Sequence, residues 1–282
     1  MNHRYNIHRP GFARGMGWLP ASAEMMRHGF RPLLAIAALW LGVSLIVVIP
    51  LIGQVVLALL TPLLTAGVLL AFDRLGQRRV PEPTILFAAW RDPVRRGGLL
   101  MLGVVGMAGG LAAALILASW LGAQLGEEQL EAALQSPEAL AEALTGVSLA
   151  GGFLVAGAVL GLVLASLYFA IPLIMFGRAP TLTALVTSIK AVAVNWLAFV
   201  GYLIALLAIV FGLVIVVVLV TSFLTLALGQ IGAFIAQILL LIVAMLFQVL
   251  LGGAQYLAFS QIFGWSPGLE EEDSGDDDNV VI

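Results

Sequence analysis

Apolar residues follow one another for twenty or so positions at a time along this chain, and charged residues fall almost entirely between the runs. A helix needs about 20 mostly apolar residues to cross roughly 30 Å of hydrocarbon. Six runs meet that requirement: Leu33–Leu51, Gly53–Phe72, Gly97–Gly122, Val147–Phe176, Trp196–Leu226 and Ala233–Phe259. Only Pro50-Leu51-Ile52-Gly53 separates the first two. The last two are cut from a single tract that carries no acid or base between Lys190 and Glu270. The cut falls at Leu228-Gly229-Gln230-Ile231-Gly232, where glycines flank a glutamine as in a turn. The longer runs exceed one crossing, so tilt, a kink or projection into the headgroups is expected.

Charge placement tests the six-span reading independently. Arg4, Arg9, Arg14, Arg27 and Arg31 precede the first span. Arg74, Arg78, Arg79, Arg91, Arg95 and Arg96 lie between the second and third, and Arg178 and Lys190 between the fourth and fifth. These are all thirteen Lys and Arg residues, and six crossings put every one on the same side. The opposite side carries only Glu127, Glu128, Glu131, Glu138 and Glu142. Basic residues beside span ends mark the cytoplasmic face, so both termini are expected there. In a bacterium the destination is the cytoplasmic membrane, since outer-membrane barrels need short alternating strands. The N-terminus does not read as a cleaved export signal, because its basic stretch is too long and its first apolar run is a full span.

Composition agrees: 61% of the residues are hydrophobic and 10% charged, too few charges to coat a soluble globule. There is no cysteine for a disulfide scaffold, and a net charge of −3 argues against a nucleic-acid partner.

Each odd-numbered span follows a short amphipathic stretch: Trp18–Phe30, then Pro83-Thr84 with Ile85–Trp90, then Pro180-Thr181 with Leu182–Val194. An apolar face with aromatics and a basic edge suits a helix lying in the headgroup plane. Thr84 and Thr181 are the expected N-caps. The fold class is therefore all-α, a polytopic protein of six transmembrane helices with short cytoplasmic interfacial helices; the three amphipathic stretches read either as three parallel units of interfacial helix plus hairpin or as ordinary amphipathic loops that are alike without being repeats. In domain terms, residues 1–31 form a cytoplasmic segment, 32–264 the membrane domain and 265–282 a disordered acidic cytoplasmic tail. The external stretch from Gly126 to Thr145 reads as two short acidic helices.

No ionisable residue falls inside the six runs, which argues against a proton relay or voltage sensor. Neutral polar residues remain. Asn195, Gln237, Gln248 and Gln255 are candidates to line a polar cavity, and the plainer account is hydrogen bonding between helices. Gly106-xxx-Gly110 and Gly157-xxx-Gly161 suit close packing of the third and fourth helices, and Pro62 and Pro172 are expected to kink theirs. Arg74, Arg78, Arg79, Arg91, Arg95 and Arg96, with Trp90, are candidates to hold an anionic lipid headgroup; topology determination alone also accounts for them. His3, His8 and His28 precede the first span with no metal-ligand spacing, and no P-loop, nucleotide-binding glycine motif or serine elbow occurs. No catalytic residue, metal or cofactor is expected.

Arg14-Gly15 with Trp18, Pro50-Leu51-Ile52-Gly53, Pro172 with Gly177 and Pro180, Asn195-Trp196 and Ile262-Phe263-Gly264 occur in an order that resembles an uncharacterised family of bacterial multi-pass inner-membrane proteins of unknown function. The resemblance covers residues 14 to 264, and it implies fold and location but no activity. Two functional readings stand. One is a non-enzymatic membrane protein organising anionic lipid or protein partners, a second copy of itself among them, at the cytoplasmic leaflet. The other is a channel or facilitator for a neutral or amphiphilic solute.

Overall fold

The computed structural model describes residues 7–126, 131, 135, 136, 148 and 150–266. Among them no strand occurs and six helices are long and apolar enough to span a membrane. The helices are α1 (Phe12–His28), α2 (Phe30–Ser44), α3 (Ile52–Gly76), α4 (Ala88–Arg91), α5 (Pro93–Leu125), α6 (Ala150–Met175), α7 (Thr181–Val194), α8 (Trp196–Leu228) and α9 (Gln230–Phe263). A 3₁₀ turn, Leu45–Val48, prolongs α2, and another, Pro83–Phe87, precedes α4. The protein is an all-α polytopic membrane protein. The acidic tail beyond Ser266 and, apart from Gly126, Glu131, Gln135 and Ser136, the expected helices between Gly126 and Thr145 lie outside the described residues.

Helix ends depart from the apolar runs for local reasons. α5 starts four residues early because Asp92 caps it: its Oδ1 accepts from the backbone N–H groups of Val94 (3.0 Å) and Arg95 (3.4 Å). Pro93, which lacks an N–H, fills the first helical position. Thr84 and Thr181 are not caps. Glu82 and Pro180 occupy those places without a side-chain cap bond. Pro180, at φ −57° and ψ 142°, is itself the extended residue that opens α7, leaving Thr181 as the first helical residue. α3 continues past Phe72 through Asp73 and Arg74, so the expectation of spans free of ionisable groups fails there.

The spans divide into a centre and a periphery. α3, α6 and α9 touch one another pairwise. Along α3 and α9 the neighbours Val68–Gly252 and Asp73–Tyr256 advance together, so these two helices run parallel. Their odd-numbered partners run back; α5 meets α6 at Gly98–Ile174, Gly109–Val163 and Trp120–Gly151, an antiparallel register. Burial concentrates in the C-terminal halves of the central three: Pro62 to Asp73 in α3, Phe169 to Met175 in α6 and Val249 to Ile262 in α9. By contrast α8 buries only Ala198 and Gly201, and the first half of α9 only Gly232 and Ala236. The bundle is closed at the end where α3, α6 and α9 finish. Towards the other end the α8–α9 hairpin presents Leu, Val, Ile and Phe side chains on all sides, a surface that suits hydrocarbon. At 33 and 34 residues these two helices are about 50 Å long, well beyond a single hydrocarbon thickness.

Each segment that precedes an odd span wedges against the preceding even span, and the pattern closes on itself. The Pro83–Phe87 turn packs on α3, α7 on α6, and α1 on α9. The joints repeat too. Gly29 between α1 and α2 (φ −113°, ψ 31°) and Asn195 between α7 and α8 (φ −105°, ψ 23°) share one backbone conformation. After each central helix comes a left-handed residue: Arg78 (φ 59°), Arg178 (φ 47°) and Gly264 (φ 66°). The middle unit departs from the expected amphipathic helix. Pro81, Pro83 and Pro93 break it into a 3₁₀ turn and one turn of α4, since proline removes a backbone donor and fixes φ.

Candidate functional site: the closed end of the bundle

The polar chemistry of the described residues gathers at the closed end, and its centre is Asp73. The buried face of α3, through Ala66, Leu69 and Phe72, continues one residue further to Asp73, which carries a carboxylate inside. Its side chain is 4% exposed. Oδ1 accepts from the Tyr256 hydroxyl of α9 (3.0 Å) and from the Trp265 indole N–H (3.0 Å). Oδ2 accepts from Gln77 Nε2 (2.8 Å). One carboxylate thus ties the end of α3 to the end of α9. A carboxylate directly after an apolar run reads as a loop residue, and only the continuation of the buried helical face distinguishes it.

Around this centre the interrupted helices are repaired by side chains from their neighbours. Pro172 has no N–H to give the Tyr168 carbonyl one turn earlier; Gln255 Nε2 of α9 donates to that carbonyl instead. In the preceding turn the Ser188 hydroxyl of α7 enters the ladder of α6. It donates to the Ala165 carbonyl (2.6 Å) and accepts from the Phe169 N–H (2.9 Å). α1 does the same on α9 with one bond, Ser22 Oγ to the Leu250 carbonyl (2.8 Å). At Pro62 the freed carbonyl is that of Ala58. There Gly103 of α5 permits a close approach: a Cβ would stand 3.1 Å from that oxygen and 2.7 Å from Leu59 Cα. An aromatic group fills the remaining space, with Trp18, Phe199, Tyr168 and Phe169 in edge contacts at centroid distances from 4.8 to 5.8 Å.

The proline repair gives a direct prediction. Gln255→Leu removes a hydrogen bond inside the membrane and is expected to destabilise the protein by about 1 kcal/mol. In a Pro172→Ala background, where an N–H can return to Tyr168, the same change is expected to cost measurably less. A double-mutant cycle by thermal unfolding in detergent reads this coupling, and additive effects contradict the repair.

The residues singled out in sequence are distributed as follows. Arg74 is half-buried on the last turn of α3, with Nη1 3.5 Å from Gln77 Oε1. Arg78 and Arg79 are exposed in the turn after α3, and Trp90 and Arg91 are exposed on α4. Arg95 and Arg96 are half-buried on the first turn of α5, with Arg95 Nε 3.4 Å from Asp92 Oδ2. All six arginines sit at the closed end. The polar quartet is not assembled into a cavity. Gln255 is buried in the centre and Asn195 at the α7–α8 joint, where Nδ2 donates to the Ala191 carbonyl (2.9 Å). Gln237 is exposed on the outer half of α9, and Gln248 faces a cavity of about 390 Å³ between α2, α3 and α9.

The glycine assignment needs correction. α5 and α6 do pack, but a Cβ at Gly110, Gly157 or Gly161 would meet nothing within 4 Å. The contact runs through Gly106 against Leu167, Gly109 against Val163 and Gly151 and Gly152 against Trp120. On α5 the face steps from 106 to 109, a three-residue stride that turns Gly110 away. Two glycines outside these motifs carry a close approach between helices. Gly15 and Gly201 let α1 cross α8 backbone to backbone.

No protein-family model, curated protein or solved structure matches this chain.

Proposed function

We propose that this is a non-enzymatic protein of the bacterial cytoplasmic membrane, with both termini cytoplasmic, that organises anionic phospholipid or protein partners at the cytoplasmic leaflet. It belongs, on the same proposal, with the uncharacterised inner-membrane proteins that its motif order resembles. The observation that carries the reading is the one-sided charge: all twelve described Lys and Arg residues sit on elements of the closed end. A basic group near an anionic leaflet gains about 1 kcal/mol. Arg78 and Arg178 support the reading further. Both hold a left-handed backbone that glycine adopts more easily, so the guanidinium is kept at a cost in backbone strain.

The test is lipid retention. Native mass spectrometry of the protein extracted in mild detergent is expected to find bound anionic phospholipid in preference to zwitterionic lipid. Removing three charges as Arg78→Gln, Arg91→Gln and Arg96→Gln is expected to weaken it by about tenfold or more. Equal retention of both lipid classes by both proteins contradicts the reading.

The facilitator reading draws support from the 390 Å³ cavity, where Trp40, Ser44, Thr61 and Gln248 put polar atoms among apolar walls. Both hydroxyls donate to their own helices, Ser44 to Trp40 and Thr61 to Leu57. That leaves the Gln248 amide and the Trp40 indole N–H as the groups a solute would meet. Solute flux in proteoliposomes, abolished by Gln248→Leu, is the outcome that would favour it.

A further inference from the structure

A polar cavity lies where the chain enters α1, and none of the arginines of the α3–α5 connection lines it. It measures about 530 Å³ and is lined by His8, Arg9, Pro10, Gly11, Arg14, Gln261 and Gly264. No carboxylate is among those residues. Arg9 and Arg14 are exposed, and neither forms an ion pair among the described residues. Two guanidiniums that line one cavity with no counter-charge among the described residues favour an anion between them.

The walls are held in place by bonds that do not involve the cations themselves. The His8 N–H donates to the Ile262 carbonyl (2.8 Å), which fastens the entering segment to the end of α9. Gly15 seats α1 directly on the backbone of Ala198, so the first turn of α1 has little freedom. Gln261 Oε1 accepts from the buried Trp18 indole N–H (3.0 Å), which leaves its NH₂ as a free donor at the cavity wall. Gly264, left-handed at φ 66°, lies against the His8 imidazole, with a notional Cβ 3.3 Å from Nε2. α1 opens at Gly11 with no side-chain cap and no acid in its first turn, so no carboxylate of that turn competes for the cavity.

We infer that this cavity is a binding site for the phosphate of an anionic lipid headgroup, clamped by Arg9 and Arg14 with donors from Gln261 and His8. The inference rests on the proposed function and deepens it, naming one site and one ligand class within the basic face. Guanidinium forks match phosphate oxygens bidentately, and a headgroup phosphate carries the required charge. The ligand is lipid rather than free phosphate because Phe12 and Met16, each 39% exposed, put apolar surface beside the cavity on the first turns of α1. A phosphodiester with acyl chains uses both surfaces; inorganic phosphate uses one.

The experiment titrates full-length protein in neutral detergent with short-chain phosphatidylglycerol, and separately with inorganic phosphate, following bound ligand by native mass spectrometry and thermal shift. Wild type is expected to take up one lipid well before further copies. Arg9→Gln with Arg14→Gln is expected to weaken that first binding by tenfold or more at unchanged melting temperature of the unliganded protein, since both side chains are exposed. The Lys pair Arg9→Lys with Arg14→Lys is expected to fall between, retaining charge but losing the forks. Millimolar inorganic phosphate is expected to compete weakly; competition as strong as that of the lipid overturns the assignment to a lipid headgroup. If Arg78→Gln with Arg91→Gln removes the tight lipid and the Arg9/Arg14 pair does not, this site is overturned while the general lipid reading survives. If neither pair changes binding, both are overturned.

Discussion

Asp73→Ala is expected to lower the stability of the folded protein by about 3 kcal/mol or more. Hydrogen bonds to a charged acceptor contribute roughly 1.5–3 kcal/mol each, and buried donors left without partners cost about 1–3 kcal/mol more. The alanine variant abandons three donors together: the Tyr256 hydroxyl, the Trp265 indole and the Gln77 amide. Tyr256 is only 2% exposed, so water does not readily replace the carboxylate. Asp73→Asn keeps an oxygen for Tyr256 and Trp265 and is expected to cost about 1 kcal/mol, the value of a single neutral bond. Thermal unfolding in detergent, followed by tryptophan fluorescence, ranks the three proteins. Hydrogen exchange localises the damage, with faster exchange expected around residues 73–79 and 256–265. An alanine variant as stable as the wild type removes Asp73 from the centre of the closed end. The consequence reaches the ligand site too. Gln261 and Gly264 belong to the segment that Asp73 holds through Tyr256 and Trp265, so the alanine variant is also expected to bind anionic lipid more weakly.

Gly15→Ala is the second large effect. A Cβ at position 15 falls within the Ala198 peptide group, 2.6 Å from its carbonyl carbon and 2.9 Å from its Cα. Both partners are backbone, and no side chain can swing aside. Gly201 makes the same kind of contact one turn further along α8, against the Phe12 carbonyl, so α1 is pinned twice. Relief requires the helices to part by about 1 Å, which loosens Trp18 from Phe199, Tyr202 and Gln261. Overpacking typically costs about 1–3 kcal/mol, and a backbone clash belongs at the upper end, about 3 kcal/mol. By contrast Gly17→Ala, on the same helix with nothing within 4 Å, is expected to be neutral or slightly stabilising. Equal melting temperatures for the two variants contradict the crossing of α1 over α8.

These two residues also mark where sequence reasoning stops. Six apolar runs and a one-sided charge distribution are one-dimensional patterns, and the spans follow from them because lipid demands long internally bonded helices. The glycines show the limit. Gly157 and Gly161 have the spacing of a packing stripe, but spacing does not say which face a neighbour occupies, and α6 turns that face outward. Gly15 stands alone without a repeat, and its role appears only once α1 lies across α8. Asp73 is hidden for a related reason: the apolar run ends at Phe72, whereas the helix and its buried face continue beyond it. Pro172 was legible as an interruption, but Gln255, its repair, comes from α9, a helix distant in sequence. The threefold pattern was visible in the amphipathic segments; its closure, with α1 on α9, is a tertiary fact.

On the proposed function, the closed end of the bundle, with its basic residues, faces the cytosol. The chain has no cysteine, so single cysteines report their own accessibility without background. Cysteine is placed at Arg78 and Lys190, at the closed end, and at Ser148, beyond the other end of the α5–α6 hairpin. A membrane-impermeant maleimide applied to intact spheroplasts is expected to label Ser148→Cys at once, and Arg78→Cys and Lys190→Cys only after permeabilisation. Labelling of Arg78→Cys and Lys190→Cys from opposite sides would contradict the parallel course of the central helices, and labelling of both from outside would invert the account.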